Sequence, residues 1–167
     1  MIVAGEDPKF ITRRMMVSAS EDIGNADPQA MQVAVSAALA VERLGMPEAR
    51  ITLAQAAAYI ASAPKSNSSI VAIDEATQAV YDTGNLPIPA HLQDAHYKSA
   101  SRLGHGIGYK YSHDYPNHYT EQQYLPDALV GKEFYHPSEN GYEIKIRDHM
   151  KFLKDHAAYE GDDGTQT

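Results

Sequence analysis

The residue types most able to do chemistry gather in the second half of the chain. Gly104-His105-Gly106-Ile107-Gly108-Tyr109-Lys110 is a glycine-rich run ending in a lysine. Phosphate-binding loops use such runs because bare backbone N–H groups can approach phosphate oxygens closely. A Walker A loop, however, needs four residues between its glycines and then Gly-Lys-Ser/Thr, and a dinucleotide loop needs G-x-G-x-x-G between a strand and a helix. Neither spacing is present, so the run predicts no nucleotide site. The eight histidines invite a metal reading. His91 and His96 are off the i, i+4 spacing that sets two ligands on one helix face. His113, Asp114 and His118 could ligate from a loop, which leaves a metal-dependent hydrolase as an outside alternative, but no His-Glu-x-x-His pattern supports it. Ser18-Ala19-Ser20-Glu21-Asp22 puts hydroxyls beside carboxylates. Nothing announces the general base and oxyanion hole that a nucleophilic serine needs. The cluster predicts helix termination and polar contacts instead.

Charge is patterned more informatively. The formal net charge of the 167 residues is −8, a poor match to duplex DNA, whose phosphates demand clustered Lys and Arg. Yet from Ala95 to His113 there is no Asp or Glu, while Lys98, Arg102 and Lys110 stand among His96, His105 and His113 with tyrosines beside them. Basic groups interleaved with aromatic faces are what single-stranded nucleic acid binding uses. Lys98, Arg102, His105, Tyr109, Lys110 and Tyr111 are therefore the candidate DNA or partner surface. The same groups could instead pair with acids elsewhere in the domain or across a subunit contact. Cysteine is absent, which removes disulfides, thiolate zinc sites and thiol nucleophiles and fits a reducing compartment. No apolar run approaches the roughly 20 residues that span a bilayer. The start lacks a basic segment followed by an apolar one. A cytoplasmic location without membrane contact is expected. Met1-Ile2-Val3-Ala4-Gly5 reads as the last turn of a helix closed by Gly5, as if the chain were cut from something longer.

The elements that must position these groups are helices. Asp7-Pro8 offers an N-cap and a proline at the first helical position. Phe10, Ile11, Met15, Val17 and Ala19 then form an apolar stripe running to Gly24. Asp27-Pro28 repeats the start signal, and Gln29 to Leu44 is apolar on most sides, which predicts a central, buried helix. Gly45 ends it. Leu53, Ala56, Ala57 and Ile60 keep helical spacing until Pro64, and Ser66-Asn67-Ser68 can cap a fourth helix that stops near Gly84. The many alanines lower the cost of the helical state and let axes approach closely. Beyond Pro87 and Pro89 the pattern suggests a short helical piece from His91 to Leu103. An irregular, tyrosine-packed segment follows to about Pro137, with room for one short hairpin around Lys132 to Tyr142. Ile146, Met150, Leu153 and Ala157 mark a last amphipathic helix, which places one domain over residues 1–159. The tail 160–167 is acidic and predicted to be disordered.

Several strings in this order resemble a known family. Ala4-Gly5-Glu6-Asp7-Pro8, Arg13-Arg14-Met15 and Ala19-Ser20-Glu21-Asp22-Ile23-Gly24-Asn25-Ala26-Asp27-Pro28 look like the start of the C-terminal domain of the replication-associated recombination protein A family of AAA+ ATPases. These are also called RarA or MgsA, with the Werner helicase-interacting protein as eukaryotic relative. The likeness continues through Gly45-Met46-Pro47-Glu48-Ala49-Arg50, Ala63-Pro64-Lys65-Ser66-Asn67, Leu103-Gly104-His105-Gly106-Ile107-Gly108-Tyr109-Lys110-Tyr111 and Tyr124-Leu125-Pro126-Asp127, over roughly residues 4–145. Ser112 stands where the family has proline before the histidine, and Gln93 where a basic residue is commoner.

The resemblance implies an all-α helical domain similar to the clamp-loader collar, forming homotetramers. It implies a nucleoid-associated whole protein working at replication forks with single-stranded-DNA-binding protein and DNA. It implies that ATP and magnesium are bound by an N-terminal ATPase module, none of whose residues matches a position here. On this reading the chain has no catalytic, cofactor or metal residue of its own and assembles the parent ATPase. The alternative is a docking module that binds single-stranded DNA or its binding protein through the Lys98 to Lys110 region.

Overall fold

The computed structural model describes residues 1–94 and 105–157. The described residues form an all-α structure with five α-helices and no strand: α1 Pro8–Ser18, α2 Gln29–Leu44, α3 Ala49–Ser62, α4 Ser68–Thr83 and α5 Glu143–Ala157. The start signals act as their chemistry dictates. The Asp7 carboxylate accepts from the Lys9 N–H with Pro8 at the first turn of α1, so one orphan donor is satisfied and the missing proline N–H costs nothing. Asp27 Oδ1 accepts from the Gln29 N–H. Asp27 Oδ2 accepts from the Tyr59 hydroxyl at 2.8 Å, which ties the entrance of α2 to α3 and raises the Tyr59 pKa. Residues 1–5 close as a single 3-10 turn, Ile2–Ala4, ending at Gly5 in the left-handed region. No helix among the described residues is long and apolar enough to cross a membrane.

The chain divides into two compact units. The first joins Met1–Glu75 with Phe134–Arg147, and the second joins Ala76–Glu133 with Asp148–Thr167. The core of the first is made of small side chains at helical spacing. Ala30, Ala34, Ala37 and Val41 of α2 are buried, as are Ala49, Leu53, Ala56 and Ile60 of α3. α1 delivers Ile11 to this core, and the π-helical turn Ala19–Ile23 delivers Ala19 and Ile23. Methyl-sized contact residues let helix axes approach, and dispersion between well-packed backbones then replaces bulk. α2 is buried on one face only, contrary to the sequence expectation. Val35 and Leu39 remain 40% and 50% exposed, because α3 and α1 cover just the alanine stripe.

The hairpin expected around Lys132 to Tyr142 does not form. The backbone groups that would make a ladder go to side chains instead: the His136 carbonyl accepts from Ser68 Oγ and the Ser138 N–H donates to Glu143. From Phe134 onward the segment is an extended strap within the first unit. It is fastened by the Tyr142 N–H to the Ala26 carbonyl at 2.7 Å and by Asn140 Nδ2 to the Lys65 carbonyl. Of the helical piece expected from His91 to Leu103, the structure shows the 3-10 turn Ala90–Leu92; residues 95–104 lie outside the described residues, as does the predicted tail. The last amphipathic helix is present as α5, with Ile146, Met150 and Leu153 half-buried.

Gly141 shows how tight the strap is. Its φ is 54°, and a β-carbon there would fall 2.1 Å from the Ala26 carbonyl oxygen and 2.8 Å from Pro64 Cγ. Gly141→Ala should cost more than about 2 kcal/mol, because strain adds to a backbone collision. Gly5→Ala, in the left-handed region at φ 84° with open space around it, should cost only about 1 kcal/mol. Urea unfolding of the two variants checks the ordering.

Candidate functional site

Among the sequence-predicted surface residues, Lys98 and Arg102 lie outside the described residues. The rest sit in the second unit. Tyr109 and Tyr111 are 49% and 54% exposed, Lys110 is exposed and His105 half-buried. Gln122 holds this stretch in place: its side-chain oxygen accepts from the Lys110 N–H at 3.2 Å and its amide donates to the Lys110 carbonyl at 2.9 Å. One glutamine thereby copies the two-point pairing of a strand. Lys110 Nζ donates to the Glu121 carbonyl, so its stem is steered along the loop. His91 Nε2 bonds the Gln123 carbonyl at 2.7 Å, and the Gly106 N–H donates to the Ala90 carbonyl.

The metal alternative does not assemble. Among the described residues no group of three or more His, Cys, Asp or Glu side chains is placed to hold an ion. His113 and His118 approach as rings, with centroids 4.9 Å apart and planes tilted by 52°. Ser18 Oγ donates to Asp22 four residues on, in the turn that ends α1, as the termination reading expects.

Sequence reasoning missed a buried polar cluster in the first unit. Glu143 opens α5 and is 0% exposed. Its Oε2 accepts from Ser66 Oγ and from the Ser138 N–H, each at 2.7 Å. Its Oε1 accepts from the Tyr135 hydroxyl at 2.8 Å, and that hydroxyl in turn accepts from Asn25 Nδ2. Ser68 Oγ lies 3.4 Å from the carboxylate but commits its proton to the His136 carbonyl at 2.8 Å. Burial alone would raise the Glu143 pKa. The Ser138 and Ser66 hydroxyls, the Ser138 N–H and the Tyr135 hydroxyl outweigh it and hold the carboxyl below the usual glutamate range. Its place in the first turn of a helix adds to this preference for negative charge. Tyr135 responds oppositely: burial first, then the neighbouring carboxylate, push its pKa up, against the Asn25 bond. The cluster is a clasp: through one buried carboxylate it ties Ser66 before α4 and the segment Tyr135 to Ser138 to the start of α5. Its one sequence signal was the Ser66-Asn67-Ser68 cap, which reads as ordinary helix initiation.

The first unit leaves one apolar groove open on its surface. Met16, Val17, Met31, Ile70 and Ile73 line a groove of about 520 Å³, with Ser20, Glu21 and Ser69 completing its wall. Large apolar side chains also remain in solvent on the helices: besides Val35 and Leu39, Ile51 is 67% and Leu44 57% exposed.

Comparison with known proteins agrees with the likeness seen in the sequence. A family model described as the MgsA AAA+ ATPase C terminal matches residues 1–154. An AAA domain-containing protein of Mycobacterium tuberculosis is 49% identical over 154 residues, 92% of this chain and 34% of that protein. The replication-associated recombination protein A of Bacillus subtilis is 50% identical over 141 residues, 84% of this chain and 33% of that protein. Its Escherichia coli K12 counterpart is 38% identical over 154 residues, 92% and 34%. The chain spans about a third of the length of these curated relatives.

The clasp makes stability depend on acid in a stated direction. Glu143 holds its proton less tightly folded than unfolded. Its stabilisation is therefore complete above the ordinary glutamate pKa of about 4.3 and is lost as pH falls through the lowered folded value. Urea midpoints between neutral pH and pH 3 should fall less steeply for Glu143→Gln than for the parent chain. At neutral pH Glu143→Ala should cost about 3 kcal/mol, since it orphans buried donors. Glu143→Gln should cost less, because a rotated amide can still accept from Ser66 and Ser138.

Proposed function

The chain belongs to the MgsA AAA+ ATPase C-terminal family, and on that premise we propose that it is the self-association domain of a replication-associated recombination ATPase. The observation that carries this reading is the apolar surface left open on the first unit. Val35, Leu39, Leu44 and Ile51 are between 40% and 67% exposed on α2 and α3 while alanines fill the core beneath them. A domain whose helix contacts are largely alanines and that leaves several large apolar side chains in water has placed a driving force for association outside. Completing the burial of one such side chain contributes roughly 1 kcal/mol, a part of the 1.5–3 kcal/mol for full burial, and a symmetric contact uses each patch twice. Four copies is the number the family resemblance implies.

In this reading the domain's work is physical. It sets several ATPase modules at fixed spacing, so that weak contacts with DNA or partners at a fork gain avidity through effective concentration. ATP and magnesium belong to the ATPase module of the whole protein, and this chain contributes no catalytic group to the reaction. The acidic total charge supports association through apolar faces over phosphate neutralisation as the domain's main interaction.

Light scattering across a concentration series tests the proposal. The chain should show a mass near four times 18.3 kDa. Leu39→Asp combined with Ile51→Asp should shift it toward 18.3 kDa with helicity retained, since both positions are exposed in the single chain. A monomer at every concentration would remove self-association.

A further inference from the structure

The strap contains a pair of residues that can react with each other. Of the five asparagines, Asn25, Asn67, Asn85, Asn117 and Asn140, only Asn140 precedes a glycine. A glycine nitrogen is the least hindered nucleophile in a backbone, because no β-carbon stands beside it and its torsions are free. It can attack the carbonyl carbon of the preceding asparagine side chain and close a five-membered imide. Asn140 and Gly141 are both exposed, so water reaches the place where that imide would form.

The docked strap holds both reacting groups still. Asn140 Nδ2 donates to the Lys65 carbonyl at 2.8 Å, and the Asn140 N–H donates to Ser138 Oγ at 3.2 Å. The Asn140 carbonyl accepts from the Glu143 N–H at 3.2 Å, which closes a turn across Gly141, held at φ 54°. Gly141 has no room to swing, because a β-carbon on it would fall 2.1 Å from the Ala26 carbonyl oxygen. The next N–H, that of Tyr142, donates to the same carbonyl at 2.7 Å. Ring closure needs the side chain to leave Lys65 and the backbone between Asn140 and Gly141 to rotate. Both movements require the strap to lift.

We infer that Asn140–Gly141 is a self-modification site: an amide that the docked strap protects and that becomes a carboxylate when the strap lifts. The Gly141 nitrogen forms a bond to Asn140 Cγ, its proton passes to the side-chain nitrogen, the Cγ–Nδ2 bond breaks and ammonia leaves. Water then opens the imide at either carbonyl. One product is aspartate on the original backbone; the other is isoaspartate, with one extra methylene in the main chain. Neither remakes the docked contacts. An aspartate has an oxygen in place of the Nδ2 donor, so it meets the Lys65 carbonyl oxygen with lone pairs on both sides. An isoaspartate lengthens the chain just before Gly141, where the Ala26 carbonyl leaves no space. Conversion therefore runs one way: a strap that reacts while lifted does not reseat, and the Ser138 N–H is lost to Glu143. This chemistry does not depend on self-association.

The test is peptide mapping by mass spectrometry of the whole chain during incubation at mildly alkaline pH, where the attacking nitrogen loses its proton more readily. Amide-to-acid conversion is read at each asparagine. In the folded chain Asn140 should convert about tenfold or more slowly than in the same chain unfolded in guanidinium chloride, since a strap lifted for about a tenth of the time or less exposes the pair for that share alone. Glu143→Ala, which removes the clasp, should bring the rate at Asn140 toward the unfolded one while Asn85 and Asn117 keep theirs. Circular dichroism on the same samples separates a lifted strap from lost helices. Asn140→Asp, the product made directly, should lose hydrogen-exchange protection at the Tyr142 amide while Ala34 stays protected; this comparison and that of the folded with the unfolded parent stand without the Glu143 variant. The inference is overturned if folded and unfolded chains convert Asn140 at the same rate, if a helical Glu143→Ala converts it as slowly as the parent, or if Asn140→Asp leaves Tyr142 as protected as before.

Discussion

A carboxylate shut away from water must be surrounded by hydrogen-bond donors or give up its charge. In the first unit Glu143 obtains its donors from parts of the sequence far apart. Ser66 precedes α4, Tyr135 and Ser138 lie in the strap, and Asn25 reaches it through the Tyr135 hydroxyl. These groups are brought together only when the strap 134–142 lies on the body built by α1, α2 and α3. The requirement works in both directions: the strap has no sheet partner to satisfy its backbone, so the Ser138 N–H and the His136 carbonyl depend on Glu143 and Ser68. Gly141 is the steric counterpart of this polar demand, since the Ala26 carbonyl occupies the space where a side chain would be.

A closure of this kind is consistent with a modest core. Alanines at the contact positions of α2 and α3 bring the helices close but bury little area per residue. Several larger apolar side chains lie outside the stripe: Val35, Leu39 and Ile51, and Met16, Met31 and Ile73 around the groove. A fold held by close backbone packing and a polar clasp can leave such a surface open and still keep its shape.

The helices were legible in the sequence because their punctuation is local. Asp7-Pro8, Asp27-Pro28, Gly45, Pro64 and Ser66 each act through contacts within a few residues, and each marks a real boundary. The hairpin reading failed for the opposite reason. Whether residues 132–142 pair with one another or with distant side chains depends on Ser68 and Glu143, and no short window contains both. The burial of α2 was over-read because apolar character all round a helix does not reveal which face a partner covers. Glu143 itself reads as an ordinary acid in a helix's first turn. The approach of the Tyr111, His113 and His118 rings was half visible: the residue types were noted, but the placement of His118 rests on the left-handed turn at Asn117 and His118, which sequence does not announce.

Native-state hydrogen exchange at the Tyr142 amide tests the role of the clasp most directly. That N–H donates to the Ala26 carbonyl, where the strap meets the helical body. If the strap and the helices are one cooperative unit, the amide should exchange with the same opening free energy as core amides of α2 and α3, such as Ala34 and Ala56, and denaturant should lower all three in parallel. Exchange at Tyr142 that is fast and insensitive to denaturant, while Ala34 and Ala56 stay protected, would show a strap that opens by itself and would contradict the account.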